Sequence, residues 1–297
     1  MDIQKSQSQE EKKKHAPALT IREQVDNLKS LDLSITDESA AEKFLNDVSY
    51  FRFIKAYSLG LKPRNGNYYK GVTFAQLEEL YRFNANFRTL LFPQIERIEI
   101  NLRCRISNYF SLKYGVLGYK DKRNFANYPD AFMDEIQREI NRNRRTSFIR
   151  NFQQNYENGD IPFYALVEIL SFGTLSKFFK NMKNADKKEI ARSYNIHYKY
   201  LESWIESISY VRNLCAHYGR LYNAKFTKKP QLYKQEAALG IPNDRIMGTL
   251  VCLKHLLPND RHWIEFLDTT ELLFEKYPFV DRSKMGFPEN WKGILMP

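Results

Sequence analysis

The stretch from Thr73 to Tyr114 constrains this chain more than any other. Leu77, Leu80, Tyr81, Asn84 and Phe87 recur at helical spacing, and Ile95, Ile98 and Leu102 continue the same period. Thr73 followed by Gln76 is a capping-box pattern, so the spacing predicts a long helix that begins there. Pro93 falls inside the run, and a kink or break is expected near Phe92. A helix of that length needs other helices to cover its apolar side. The rest of the chain supplies them.

Helical periods recur from Asp37 through Phe44, Val48, Tyr50 and Phe51, and over an amphipathic segment from about Asp130 to Tyr156. They recur again around Leu166, Ile169 and Leu170, from Leu201 to about Gly219, and over Arg245–Leu257 and Arg261–Lys276. The stretch KPRNGNYYKG, residues 62–71, reads as a loop or short hairpin. Twelve glycines and eleven prolines are few for 297 residues, which fits helices better than strands and turns. There is no fixed-period repeat, no strand–helix alternation and no glycine-rich phosphate loop. The expected fold is all-α. Residues 1–17 are polar and lysine-rich and read as a disordered tail, with one helical domain over 18–297.

The formal charge of +11 points to a polyanionic partner, a nucleic acid or an anionic membrane surface. Three widely spaced cysteines, Cys104, Cys215 and Cys252, argue against a disulfide framework and a paired-cysteine zinc site. No apolar run approaches the roughly 18 residues of a membrane-spanning helix, and no early run resembles a signal peptide. A cytoplasmic protein without membrane partner, metal or cofactor is expected.

The chemistry concentrates in SYVRNLCAHYGRLYN, where His217 stands five positions after Arg212 and four after Asn213. A histidine can take a proton from a ribose 2′-hydroxyl or give one to the leaving 5′-oxygen, while a guanidinium holds the phosphate. Chance supplies roughly 0.3 such intervals in a chain with this many arginines and histidines. Two are present, because Arg192 and His197 share the spacing. Context separates them: Arg212–His217 closes a strongly amphipathic helix, whereas Arg192–His197 straddles a helix end and the next start. On an ideal helix Arg212 and His217 lie about 140° apart, so one helix does not aim both at one phosphate. Two copies about a two-fold axis can, and a homodimer is expected. The competing reading is a histidine that caps a helix end, with Arg212 a solvated surface residue.

Arg138, Arg142, Arg144, Arg145 and Arg150, beside Phe148 and Phe152, are candidates for an RNA-backbone patch, with Arg220 added from the motif. A solvated face is the alternative. Glu168, in an otherwise apolar helix, is a candidate partner for Arg212 or Arg220, or a buried structural carboxylate. Glu96, Arg97, Glu99, Arg103 and Arg105 read as a salt-bridged stripe. His255 and His262 lie seven apart, with no acidic or cysteine partner that suggests a metal, and read as structural or surface.

SYVRNLCAHYGRLYN resembles the signature of Abi-like proteins, an abortive-infection family placed in the HEPN ribonuclease superfamily. The resemblance extends, in order, through ALTIREQVDNLKSLDLSI, FLNDVSYFRFIKAYSLGLKP, TFAQLEELYRFNANFRTLLFPQIERIEINLRCRI, FYALVEILSFGTLSKFF and MGFPENWKGILMP. It implies a HEPN-like helical bundle with additional helices. It also implies a metal-independent endoribonuclease in which Arg212 and His217 match the family's arginine and histidine and Asn213 the polar residue between. Roles in phage defence or as a toxin, a composite dimer site and association with a small non-coding RNA come with it. Asn84 and Asn86 depart from the pattern, replacing an acidic residue often seen before the position of Arg88. A non-catalytic RNA-binding protein of the same fold is the alternative.

Overall fold

The computed structural model describes residue 15, residues 17–257 and residues 261–297. Among them every extended regular element is helical, and β pairing is limited to isolated bridges. The polar tail expected over residues 1–17 lies almost wholly outside the described residues. The chain divides into two compact units, Met1–Glu78 and Glu79–Pro297.

In the first unit, α1 (Ile21–Ser30) starts at a closed capping box. Thr20 N–H donates to Glu23 Oε2 at 2.7 Å, and Glu23 N–H donates to Thr20 Oγ1 at 3.3 Å. Asp37 caps α2 (Glu38–Asp47) by accepting from Ala40 N–H at 2.9 Å. The apolar stretch expected to run on through Phe51 instead breaks at Val48, whose backbone is extended, and α3 (Tyr50–Tyr57) restarts with a different inward face. Phe53, Ile54 and Tyr57 are buried, while Phe51 is 72% exposed and is not a core residue. Phe44, Phe53 and Phe74 pack together, Phe44 and Phe74 edge to face and the other pairs tilted, with centroids 4.8 to 5.8 Å apart. Residues 62–71 form a loop pinned by Tyr68, whose hydroxyl lies 2.6 Å from Ser58 Oγ. The Thr73 box closes as the sequence requires: Thr73 N–H donates to Gln76 Oε1 at 2.9 Å and Gln76 N–H to Thr73 Oγ1 at 3.2 Å.

From there α4 (Phe74–Tyr114) runs 41 residues, and it supplies the second unit with a buried stripe of Leu80, Phe83, Phe87, Leu91, Ile95, Ile98, Leu102, Ile106 and Phe110. The helix is not broken at Pro93. Proline cannot donate to the carbonyl four residues back. Pro93 faces solvent between the buried Leu91 and Ile95, so the lost bond lies away from the packing that holds the helix.

The segment predicted from Asp130 to Tyr156 is two helices, α5 (Asp130–Arg142) and α6 (Ser147–Asn155). Asn143 ends the first by donating its amide to Glu139 O at 2.9 Å. There follow α7 (Phe163–Ile169), α8 (Phe172–Asn181), α9 (Asn184–Arg192) and the nineteen-residue α10 (Tyr198–Ala216). The remaining helices are α11 (Lys234–Ala238), α12 (Ile246–Leu256), α13 (Arg261–Lys276) and α14 (Trp291–Leu295). Helix α10 packs against α8, α9 and α12, and Trp204, Ile205, Ile208 and Val211 on it are fully buried. Phe110, Phe163 and Phe178 bring α4, α7 and α8 together, with ring centroids 4.4 to 5.4 Å apart.

A polar tie joins α4 to α9. Asp186 is fully buried and accepts from Tyr109 Oη at 3.0 Å, from Tyr114 Oη at 2.7 Å and from Lys113 Nζ. Burial alone would raise its pKa, but the three donors outweigh it and hold the carboxyl below its ordinary value. Among the described residues no single helix is long and apolar enough to cross a membrane.

Candidate active site

The last turn of α10 carries the predicted motif. Val211 and Cys215 face the core, which turns Arg212 to its edge and leaves Asn213 exposed. Arg212 is half-buried and held on two sides. Its Nε donates to Glu99 Oε2 at 3.1 Å, and its guanidinium lies 5.6 Å from the centroid of the Phe92 ring. Glu99 is buried, and its other oxygen accepts from Arg103 Nη2 at 2.5 Å; Arg103 also donates to Val167 O on α7. With Nε engaged by Glu99, the Nη groups of Arg212 have no partner among the described residues. A guanidinium oriented in this way presents its remaining N–H fork to an incoming phosphate.

His217 is the C-cap residue of α10, with its backbone N–H bonded to Asn213 O at 3.0 Å and its side chain exposed. The helix ends in a Schellman turn: Gly219 N–H reaches Leu214 O at 2.6 Å and Tyr218 N–H reaches Cys215 O at 3.3 Å. This requires a left-handed residue after the cap, and Tyr218 takes it at φ 58°. A tyrosine in that conformation costs about 1 kcal/mol or more, and such strain persists where surrounding contacts impose it.

Those contacts come from α4. Asn84 is fully buried, and its Oδ1 accepts from Leu221 N–H at 2.7 Å and Tyr222 N–H at 3.0 Å. Its Nδ2 donates to Gly219 O at 3.4 Å, and Arg88 Nη1 donates to the same carbonyl at 3.1 Å. Residues 219–222, immediately after His217, are thus clamped to the long helix through their backbone. Asn86, the other position that departs from the resemblance, donates to Tyr277 Oη at 2.9 Å and does not touch the turn.

Beside the motif lies an open groove of about 630 Å³, lined by Tyr81, Arg88, Phe92, Pro93, Cys215 and Tyr218 among others. Burial pushes the Cys215 thiol up to about 12, against the opposing charge of Arg88, so it stays protonated and is no nucleophile. The groove offers aromatic and apolar walls with one cation.

The structure separates the remaining candidates. Arg220 is half-buried in the clamped turn. Arg138, Arg142, Arg144, Arg145 and Arg150 are all exposed on α5, α6 and their connection, with Phe148 and Phe152 half-buried beside them. Arg142 pairs with Glu139 at 2.9 Å. Among the described residues no hydrogen bond or ion pair joins this set to Arg212 or His217, and α8 packs against both α5 and α10. Glu168 is exposed and is neither a buried carboxylate nor the partner of Arg212, which is Glu99. The helical period of α7 turns Phe163, Leu166 and Val167 inward and Glu168 out. Arg192 ends α9 in an ion pair with Glu189 at 2.9 Å, while His197 caps α10 by accepting from Lys199 N–H at 3.4 Å. That pair straddles two helices. His255 does have an acidic partner, Glu236 Oε1 at 2.7 Å from Nε2, which no sequence neighbour announced.

Sequence reasoning passed over Glu99, Asn84, Arg88 and Phe92 as parts of this site. Asn84 left a signal: it occupies a core position in the apolar stripe of α4, where an unpartnered amide is costly. Glu99 stood within a charged stripe and had no feature to distinguish it from Glu96.

A family model described as Abi-like protein matches residues 43–223, which run from α2 to the end of the clamped turn and include Asn84, Arg88, Glu99, Arg212, Asn213 and His217. The chain belongs to the Abi-like protein family. No curated protein and no solved structure matches it. Among the described residues of this Abi-like protein, no cluster of three or more histidine, cysteine or carboxylate side chains has the arrangement of a metal site.

Proposed function

We propose that this Abi-like protein is a metal-independent endoribonuclease of the HEPN type, acting as a toxin or in abortive-infection defence against phage. The observation that carries the reading is Arg212, fixed through Nε by a buried carboxylate with its Nη groups open, five residues before an exposed His217. A surface arginine of no consequence has no need of a buried acid and an aromatic ring to aim it.

In the reaction the His217 imidazole takes the proton of a ribose 2′-hydroxyl. The 2′-oxygen attacks the adjacent phosphorus and the P–O5′ bond breaks, giving a 2′,3′-cyclic phosphate and a 5′-hydroxyl whose oxygen takes up a proton. Arg212 carries the charge that develops on the non-bridging oxygens. Asn213, exposed one turn before His217 on the same face, offers an amide to the same phosphate. Base and acid must both be at hand, and a second copy of the chain, its α10 end facing the first, supplies the second histidine. Arg220 and the α5–α6 arginines hold the RNA backbone away from the scissile bond.

The test is cleavage of RNA by the purified full chain in excess EDTA, with the product ends identified chemically. Cyclic phosphate ends formed without metal are expected. Strict dependence on magnesium or manganese overturns the mechanism. RNA that binds and is never cut favours instead a non-catalytic protein holding a small non-coding RNA through the exposed arginines.

A further inference from the structure

Tyr218 occupies the left-handed position after the α10 cap, at φ 58°. Glycine takes that conformation at no steric cost, and tyrosine does not. The ring held there is 69% exposed, so burial does not account for it. It lines the open groove of about 630 Å³ beside the motif.

Phe92 and Tyr81 of α4 line the same groove, with the small side chains of Ala85 and Ala216. Phe92 is shared, because the Arg212 guanidinium lies 5.6 Å from its centroid. An apolar slot edged by rings therefore adjoins a guanidinium whose Nη groups have no partner among the described residues. Arg88 also lines the slot, its Nη1 held by Gly219 O at 3.1 Å, and none of the described lining residues is acidic. A ligand that fits both features carries a flat apolar face and an anionic group one sugar unit apart. That is the chemistry of a nucleotide.

We propose that the groove takes an unpaired nucleobase of a bound RNA strand, stacked on Tyr218, while a phosphate next to that base meets Arg212. The inference rests on the reading of Arg212 as a phosphate clamp and adds a second contact to the same strand. The volume suits one base with its sugar. Every base has a π face, so the groove selects an unstacked base over a paired one rather than one sequence over another. The strain at Tyr218 keeps the ring at the groove, as strained backbone does at other ligand sites.

The test is fluorescence anisotropy of the full chain with a 2′-O-methyl RNA pentanucleotide, which lacks the nucleophile and is not cut. The same strand is then titrated with each position in turn made abasic. One abasic position should weaken binding roughly 10- to 100-fold, the scale of a lost base–aromatic stack, and the others less. Tyr218→Gly should lose a similar factor and become indifferent to that position. It should melt no lower than the wild type, because glycine suits the left-handed backbone. Tyr218→Phe should bind as the wild type does. The abasic series in the wild type needs no variant, so it decides even if Tyr218→Gly unfolds. Equal affinity for intact and abasic strands, no binding of the intact strand at millimolar concentration, or undiminished binding by folded Tyr218→Gly overturns the proposal. So does a Tyr218→Gly chain that loses only self-association, since a second copy then fills the groove. Cleavage of ordinary RNA by the same wild-type preparation is scored separately. A chain that distinguishes the abasic strand and never cuts keeps the groove and loses the nuclease. One that cuts and binds both strands alike keeps the nuclease and loses the groove.

Discussion

Glu99 Oε2 accepts from Arg212 Nε at 3.1 Å, across 113 residues of chain, while its other oxygen holds Arg103. One buried carboxylate thus sets the direction of the guanidinium that the proposed mechanism uses. Glu99 is a positioning residue there, and its replacement should act on turnover. Glu99→Gln is expected to lower kcat roughly 10- to 100-fold with KM little changed, because a misaimed clamp loses transition-state contact first. Glu99→Asp should restore part of it. An equal rise in KM with kcat preserved would assign Glu99 to binding alone.

Arg212→Ala and His217→Ala should each reduce RNA cleavage by about 100-fold or more, the usual scale for losing a general base or a charge clamp, and should abolish toxicity in cells. Arg192→Ala and His197→Ala share the five-residue interval in a different context and should cut RNA normally. Thermal melting verifies that each variant is folded. Activity retained in both members of the first pair would remove the catalytic assignment.

Asn84→Ala leaves two buried backbone N–H groups, those of Leu221 and Tyr222, without an acceptor. The expected loss is about 2–6 kcal/mol, from roughly 1–3 kcal/mol for each orphaned group. Asn84→Asp keeps the oxygen that accepts both N–H groups, while it gives up the donation to Gly219 O and buries a carboxyl close to Arg88, so it should be the milder change. Chemical denaturation orders the two variants; the reverse order would show that the amide donor holds the turn.

Gly219→Ala tests the same turn from the other side. A Cβ there would come within 2.8 Å of Leu214 Cδ2 and 2.9 Å of Leu214 O. The side chain can yield, but the carbonyl that ends α10 has little room to move. Destabilisation of about 1–3 kcal/mol is expected from such overpacking, visible as a lowered melting temperature.

Asp186 makes acid stability measurable. Its folded pKa is held below the ordinary value of 3.8 by Lys113, Tyr114 and Tyr109 acting against burial. A depressed carboxyl contributes stability that is complete above its unfolded pKa and is lost as pH falls through the folded value. Stability measured by denaturation should therefore decline below about pH 4 more steeply in the wild type than in Asp186→Asn. At neutral pH that variant should be weaker by about 1–3 kcal/mol, Lys113 being largely solvated. Parallel curves for the two proteins would remove Asp186 from the acid transition.

Mixing wild-type chains with His217→Ala chains should lower cleavage more than dilution does, since mixed dimers carry one histidine. A strictly proportional loss, or an active monomer by light scattering, would leave each chain with a complete site of its own.

Most of the helices, and the start of the longest, are legible in the sequence. Helical periods place α4, α10, α12 and α13, the Thr73–Gln76 box marks where the long helix begins, and the Arg212–Asn213–His217 spacing puts the candidate chemistry at the end of α10. These signals are local: a period of 3.6 residues and a cap three residues away are written within a turn or two of chain. Which surfaces meet is not written there. The tertiary structure alone selected Glu99 over Glu168 as the carboxylate of Arg212 and turned Asn84 from a polar oddity into the clamp of the Gly219 turn. It also broke the apolar stretches at Val48 and Asn143, and brought Glu236 to His255. An amphipathic face specifies that it must be covered, and any apolar neighbour of the right shape satisfies that demand. The pairing of polar groups more than a hundred residues apart depends on the packing that places α4 beside the end of α10.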